Sequence, residues 1–518
     1  MDINKLFNSA QENFRLGNYP ESKKIVRRIL RKSNSNIEAI NFLAMLEIYL
    51  NNREDAIKHF NNSLSLNSNQ PQILFNLGIC YFELDRLDKS LDCFKKCLNM
   101  DYKNPSLYIN IGRVYFNKRD FEQSEKNYCE ALKYDETNKN ASMNLAYLYN
   151  YQGKYLEASK IYERLLNDHD DSFDIYYNLG IAYDNLKEFK KAINCYLSAI
   201  ELDKDNYKAY FNLSCLYLNQ KRFTEGWNLY DYRWNILNKN ITNKIPECTN
   251  INSPNEKILI WGEQGIGDQI IYSSMLGSLP RENNLTIALD QRLVPIFRRS
   301  FDFLNFISFE EVKELNINFF DSQLALGSLG KFYRRNLEDF KNLPRFFLKA
   351  DLNRSKKIRE NLKIKNKKIC GISWKNKNEE VGFAKSLKLE DMVDLLSMDD
   401  FTFVDLQYGD TDAEKNLLKE KFDININAIE GLDKFNDIDG LLSLIEACDL
   451  IVTSSNVTAH LAGAIGKKTF LMAPESLGSL WYWHDDKQSI WYQSVTLYRK
   501  KISVGWEHVV KKIIKDIH

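Results

Sequence analysis

Tyr81, Tyr115, Tyr149, Tyr183 and Tyr217 follow one another at a constant spacing of 34 residues. Gly78 and Gly112 keep the same spacing, and Gly180 falls two periods after Gly112. Ala56, Ser90, Ser124, Ala158 and Ala192 mark a small-residue position. Phe60, Phe94, Tyr128, Tyr162 and Tyr196 mark an aromatic four residues later. A unit of this length holds two short helices and their turns, and it buries its apolar face only by stacking on its neighbours. Counting outward gives seven units, starting near Ile3, Ile37, Pro71, Pro105, Lys139, Phe173 and Tyr207. The first is degenerate and the last drifts into Trp227 and Trp234, as terminal caps of an array do.

This unit resembles the tetratricopeptide repeat, a helix–turn–helix that stacks into a superhelix with a concave groove. Position six of each first helix reads Asn8, Phe42, Asn76, Asn110, Asn144, Asn178 and Asn212. An amide side chain offers a donor and an acceptor, so Asn76, Asn110, Asn144, Asn178 and Asn212 form a candidate ladder for the backbone of a bound peptide or protein segment. The plainer alternative is that Asn serves here as an ordinary repeat residue.

Composition divides the chain near residue 240. Of 28 tyrosines, 22 lie at or before Tyr232, whereas 15 of 21 glycines lie after residue 240. Glycine is costly inside helices and useful in strand-to-helix turns. The Asn-, Thr- and Ser-bearing stretch 238–255 is expected to be a linker between an array at 1–237 and a second domain. With 71 basic and 70 acidic residues the net charge is +1, which argues against a nucleic-acid or anionic-membrane binder. No apolar run is long enough for a membrane span, and the first residues lack a signal-peptide pattern. Nine scattered cysteines without a CxxC pair suggest reduced, mostly buried thiols and a cytoplasmic location.

From Lys257 short apolar runs alternate with amphipathic stretches. Strands are expected at Ile258–Trp261, Leu285–Leu289, Leu304–Ser308, Ile369–Trp374, Thr402–Leu406, Leu450–Thr453 and Thr469–Met472, with helices near Leu389–Leu396, Asp412–Lys421 and Gly440–Ala447. That alternation predicts parallel α/β sheets in two Rossmann-like halves, 256–350 on the acceptor side and 351–518, with a C-terminal helix, on the nucleotide-sugar side. Ligands bind at the carboxyl ends of such strands. Two loops stand out. Gly262–Asp268 follows the first strand with glycines that admit a ligand and an aspartate that is either a first-turn acid or a general base. Thr453–Ala464 joins hydroxyls, an Asn and His460 to a helix start, which suits a diphosphate. Asp437 and Asp439 have the spacing of a metal pair but read as helix capping, and no metal ligand is assigned.

The second half is similar to the catalytic part of bacterial tetratricopeptide-repeat glycosyltransferases, itself akin to heptosyltransferases. The matching pieces are ILIWGEQGIGDQI, GISWKNK, DLQYGD, CDLIVTSSNVTAHLAGAIGK, WYW and WYQSVTLYR. The order of repeats and transferase also resembles O-linked N-acetylglucosamine transferase. The resemblance implies a metal-independent two-Rossmann (GT-B) glycosyltransferase, with a nucleotide-sugar as co-substrate and no other cofactor. It implies Asp268 as catalytic base and Gly265, Gly267, Lys375, Gln407, Ser454, Ser455, Asn456, Thr458 and His460 at the donor. Where many relatives place an Asp in the second loop, this chain has Ser454-Ser455-Asn456. The acceptor is expected to be a protein or glycan recruited by the repeats. The alternative is a non-catalytic peptide-binding scaffold with a degenerate transferase domain.

Overall fold

The computed structural model describes residues 3–168, 172–237, 245–253, 255–263, 265–281, 284–315, 319–341, 344–362, 367–377, 382–501 and 504–517. The repeat period becomes a series of helices: Ile3–Arg15, Tyr19–Lys32, Ile37–Tyr49, Arg53–Leu66, Pro71–Glu83, Leu87–Asn99, Pro105–Asn117, Phe121–Tyr134, Lys139–Tyr151, Tyr155–Asn167, Phe173–Asn185, Phe189–Leu202, Tyr207–Asn219 and Phe223–Tyr230. The small positions work as steric holes. A Cβ on Gly78 would lie 2.5 Å from the Phe94 ring, and one on Gly112 would lie 2.5 Å from the Tyr128 ring. The Ser90 and Ser124 hydroxyls donate to the carbonyls of those same two glycines, at 2.7 and 2.9 Å. The periodic tyrosines mark helix ends. The amides of Arg86, Asp120, Lys154 and Arg222 donate back to the carbonyls of Tyr81, Tyr115, Tyr149 and Tyr217, which satisfies the last turn. Such a closure needs a left-handed residue. Gly17, Asn51, Asp85, Arg119, Gly153, Lys187 and Lys221 supply it, with φ between 56° and 77° and the same 34-residue spacing.

The chain divides into two compact units, Met1–Leu186 and Lys187–His518. This differs from the expected division at 238–255. In the second unit a single apolar core joins Phe223, Trp227 and Tyr230 of the last repeat helix to Ile258, Leu441 and Trp483. Trp227, read as part of a terminal cap, is fully buried: its indole N–H donates to the Arg334 carbonyl at 2.7 Å, and its ring fills the space a side chain on Gly330 would need. Residues 245–253 of the expected linker run beside a strand. Gln323 N–H donates to the Pro246 carbonyl at 2.8 Å and Cys248 N–H donates to the Gln323 carbonyl at 2.7 Å. Residues 238–244 and 254 lie outside the described residues.

The α/β part of this unit holds two all-parallel sheets. The first contains β1 (Lys257–Trp261), β2 (Asn284–Leu289), β3 (Asn305–Ser308) and β4 (Ser322–Ala325), ordered β3-β2-β1-β4. The second contains β5 (Lys368–Ser373), β6 (Phe401–Asp405), β7 (Leu450–Ser454), β8 (Thr469–Pro474) and β9 (Val495–Lys500), ordered β6-β5-β7-β8-β9. Every expected strand is present within a residue or two, while β4 and β9 were not foreseen. Asp437 caps helix Ile438–Ala447 through the Gly440 amide at 2.8 Å, as expected. Helix Trp506–Ile517 packs on the second sheet. All nine cysteines are free thiols. Among the described residues no helix is long and apolar enough to cross a membrane.

Candidate functional site

The loops that follow β1 and β7 meet at the carboxyl ends of the two sheets. Helix Ile266–Tyr272 packs on helix Val457–Ala464 so closely that a Cβ on Gly267 would lie 2.8 Å from His460 Cδ2. Glycine at 267 is therefore needed for the approach of His460, and Gly265, just before the helix, is exposed. Gln264 lies outside the described residues.

Asp268 occupies the third position of its helix, and its carboxylate accepts the Gly265 amide at 3.2 Å. It is thus a first-turn acid, but its surroundings are not those of a surface cap. Burial pushes the carboxyl up to about 6, and the nearby Glu263 adds to that, while the Gly265 amide, Lys385 and the Tyr482 hydroxyl oppose it. A carboxylate of that proton affinity suits general-base work near neutral pH.

His460 is buried, with Nδ1 3.1 Å from the Tyr492 hydroxyl and Nε2 3.5 Å from that of Tyr482. Its ring lies over Trp483 with centroids 5.0 Å apart. Burial, followed by repulsion from Lys385, drives its pKa down to about 3, so it is neutral at ordinary pH. It can exchange hydrogen bonds but carries no positive charge to a ligand.

Lys385, at the end of the short helix Gly382–Lys385, was not singled out in the sequence. It is buried, burial lowers its pKa, and Asp268 counteracts that. Its charge acts on both Asp268, whose pKa it lowers, and His460, whose pKa it lowers further. Lys375, the expected donor lysine, instead pairs with Glu414.

The other expected donor residues divide in the same way. Gln407 Oε1 accepts from the Ser373 hydroxyl at 2.9 Å and from the amides of Trp374 and Lys375 at 3.0 and 2.8 Å. It shapes the turn after β5 and is closed to a ligand. Asn456 donates to Ser373 Oγ at 2.7 Å and accepts from the Thr458 amide at 3.0 Å. Ser455 Oγ accepts from the Trp483 indole at 2.9 Å, and Ser454 is fully buried against Asn456. These three side chains build the loop rather than line it. Thr458 differs: its hydroxyl is buried at the helix start without a hydrogen-bond partner among the described residues.

Among the described residues, no group of three or more His, Cys, Asp or Glu side chains is arranged to hold a metal ion.

In the repeats, Asn110, Asn144 and Asn178 each donate their amide to the carbonyl four residues earlier, at 2.8, 2.7 and 2.8 Å. Asn76 Nδ2 lies 3.5 Å from the Met45 sulfur. In Asn110, Asn144 and Asn178 the amide donor is thus turned onto its own helix. Asn110 offers its oxygen to Arg113 at 3.2 Å. Asn212 sits at the same position on helix Tyr207–Asn219, in the second compact unit.

Sequence models of the tetratricopeptide repeat match residues 71–104, 105–138, 140–172, 173–206 and 195–227. This part of the chain is a tetratricopeptide-repeat array, a scaffold of the protein-binding kind. The chain is 27% identical over 279 residues to protein FlbA of Caulobacter vibrioides, covering 50% of this chain and 46% of that protein. It is 29% identical over 90 residues to tetratricopeptide repeat protein 8 of Caenorhabditis elegans, covering 17% and 18%. The chain thus spans less than half the length of each of these curated relatives. Among solved structures, a tetratricopeptide repeat protein from Parabacteroides merdae matches 46% of this chain and 94% of its own, at 16% identity and a TM-score of 0.40. YrrB, described as a tetratricopeptide-repeat protein with an unusual peptide-binding site, matches 36% and 96%, at 19% identity and a TM-score of 0.31.

Proposed function

We propose that the α/β part is a GT-B-type glycosyltransferase that uses a nucleotide-sugar without a catalytic metal and acts on an acceptor recruited by the repeats. The observation that carries this reading is the close packing of the Asp268 helix on His460 where the β1 and β7 loops meet, with the charge of Lys385 acting on both residues. A transferase needs a base for the acceptor hydroxyl and positive charge for the departing diphosphate. Asp268 takes the hydroxyl proton as that oxygen attacks the anomeric carbon. The bond from that carbon to the diphosphate breaks, and Lys385 stabilises the charge on the leaving oxygens. The Thr458 hydroxyl and the amides at the start of helix Val457–Ala464 bind the phosphates. Lys385 replaces Lys375 in this assignment.

The placement of the last repeat supports a protein acceptor. Helix Tyr207–Asn219, which carries Asn212, packs on the turn Trp481–Trp483. Asn219 donates to the Trp481 carbonyl at 3.4 Å, and the hydroxyl of Tyr482 in that turn lies 3.5 Å from His460 Nε2. A segment held along that helix is carried toward the base. A second reading, a non-catalytic peptide-binding scaffold, is favoured by the repeat matches over 71–227. A thermal-shift screen of nucleotide-sugars, followed by sugar release and transfer assays on any hit, separates the two. Stabilisation with turnover that Asp268→Asn removes supports the enzyme, and no stabilisation by any donor leaves the scaffold.

A further inference from the structure

We infer that His484 is a positioning residue for the loop after β7: its ring ties the turn Trp481–Trp483 to the end of the last repeat, and Trp483 carries that hold to Ser455 and His460. The contacts form an unbroken series. Asn219 is the final residue of helix Tyr207–Asn219. His484 Nδ1 lies 3.0 Å from the Asn219 backbone carbonyl, and the Asn219 side chain reaches the Trp481 carbonyl at 3.4 Å. Trp483, the neighbour of His484, donates its indole N–H to Ser455 Oγ at 2.9 Å. The Trp483 ring lies over that of His460, with centroids 5.0 Å and planes 29° apart. One residue of the turn thus holds the repeat, and the residue before it holds the loop.

The acceptor fixes the chemistry of this latch. A backbone carbonyl only accepts, so His484 Nδ1 carries the hydrogen. Nε2 is then a bare acceptor, buried without a hydrogen-bond partner among the described residues. The residue is 1% exposed, and burial drives its pKa down to about 4, so the ring is neutral at ordinary pH. Its φ is +37°, a left-handed value that histidine rarely adopts. An unsatisfied nitrogen and a strained backbone both cost stability, and the bond to Asn219 is what this histidine supplies against them. The other grips on the turn differ in kind. Arg499 on β9 donates to the carbonyls of Trp483 and His484, which holds the backbone to the sheet and makes no link to the repeat. Lys187 pairs with Glu475 and Asp485 at 3.4 and 3.1 Å, and Lys221 with Asp486 at 2.6 Å. These pairs are part-exposed, and such pairs are worth little.

The effect on nucleotide binding rests on the transferase reading; the latch does not. Nitrogen NMR of the full chain labelled on histidine and tryptophan tests the latch, with His484→Asn and Trp483→Phe assigning the signals. In the parent, the His484 ring is expected to be the Nδ1-protonated tautomer; an Nε2-protonated ring overturns the latch without any variant. His484→Phe keeps a ring and deletes the donor. It is expected to speed hydrogen exchange at the Trp483 indole roughly tenfold or more. His484→Asn places an amide N–H near the position of Nδ1 and suits the positive φ, so it should restore slow exchange. Both variants lose the imidazole and melt below the parent, so recovery in His484→Asn separates the latch from packing. Lys221→Ala, which breaks a part-exposed pair on the same segment, leaves the exchange within about twofold. Calorimetry with uridine, adenosine and guanosine diphosphates reads the consequence. The affinity of whichever binds the parent falls roughly fivefold or more in His484→Phe and returns in His484→Asn. Unchanged exchange in His484→Phe, no recovery in His484→Asn, or an equal effect of Lys221→Ala overturns the latch. Faster exchange with unchanged nucleotide affinity overturns the positioning role. Faster exchange in a chain that binds none of these nucleotides upholds the latch and removes the transferase reading instead.

Discussion

Arg233 and Glu263 form a two-pronged ion pair in which neither side chain has any solvent exposure: Nε meets Oε2 at 2.7 Å and Nη2 meets Oε1 at 3.0 Å. Arg233 closes the last repeat, and Glu263 belongs to the glycine-bearing turn that leads to Asp268. Removing one partner of such a pair leaves a buried charge and costs about 3–5 kcal/mol. Arg233→Met is therefore expected to destabilise the second unit strongly. A chain begun at residue 238, lacking Trp227, Tyr230 and Arg233, is expected to be insoluble or to melt far below the full protein. Cooperative unfolding of that fragment at the parental temperature would make the pair dispensable.

Asp268 carries a cost to stability with a definite sign. Its folded pKa of about 6 lies above the ordinary carboxylate value near 4, so between those pH values the folded chain keeps a proton the unfolded chain has lost. Stability from this group is fully present below about pH 4 and is lost as pH rises through 6. Asp268→Asn is thus expected to stabilise the protein by about 1–3 kcal/mol at pH 7, with the gain vanishing near pH 4. Calorimetric melting at both pH values checks this. The same variant should lose transfer by roughly a hundred- to ten-thousandfold and keep donor affinity.

The two lysines after β5 should separate cleanly. Lys385→Ala is expected to weaken nucleoside diphosphate binding by about ten- to hundredfold, the range of a hydrogen bond to a charged group. Lys375→Ala should leave that affinity within about twofold, since its charge is spent on Glu414. Titration calorimetry with a nucleoside diphosphate panel reads both, and the reverse ranking restores the assignment drawn from the sequence.

The double change Asn110→Ala, Asn144→Ala removes two half-exposed side chains that bond only locally. It is expected to shift stability by less than about 1 kcal/mol in total while weakening a protein partner held in the groove. Asn150→Ala is the structural contrast. Asn150 is buried and donates across to the Asn178 carbonyl at 2.9 Å, so its loss should cost about 1–2 kcal/mol. Equal melting losses for the two variants would show that the ladder is packing.

At Asp85, φ is +56° and no hydrogen bond or ion pair of its side chain compensates among the described residues. Relief of left-handed strain in Asp85→Gly, less the added freedom of the unfolded glycine, should stabilise by roughly 0.5–1 kcal/mol. Chemical denaturation of the full chain measures it, and a loss of stability would mean the turn is unstrained.

The sequence disclosed what repeats and what alternates. The periodic tyrosines and small residues located the helices, and apolar runs located most strands. Ser322–Ala325 escaped because SQLA holds one large apolar residue, and Val495–Lys500 because it ends in Arg499 and Lys500. The turns at Arg119, Lys187 and Lys221 were unreadable because these residue types give no sign of a positive φ. Residues 245–253 have the composition of a spacer, but their backbone pairs with a strand and Ile245, Cys248 and Ile251 are buried. Asp268 and His460 could be found from their loops. Lys385 could not, because nothing local distinguishes it from Lys375 and Lys377, and only the tertiary arrangement brings it to Asp268.

The left-handed closures set a rule for how such a chain can lengthen. Seven of them fall in one register, so a duplication or deletion is silent to the helix stacking only in whole multiples of the unit. Copies within Met1–Leu186 meet that condition and are free to multiply. Those beyond Lys187 are anchored by Trp227 and Arg233 to the α/β part. Over evolutionary time the reach of the array is adjustable from its N-terminal side alone, while its last turn is inherited together with the cleft.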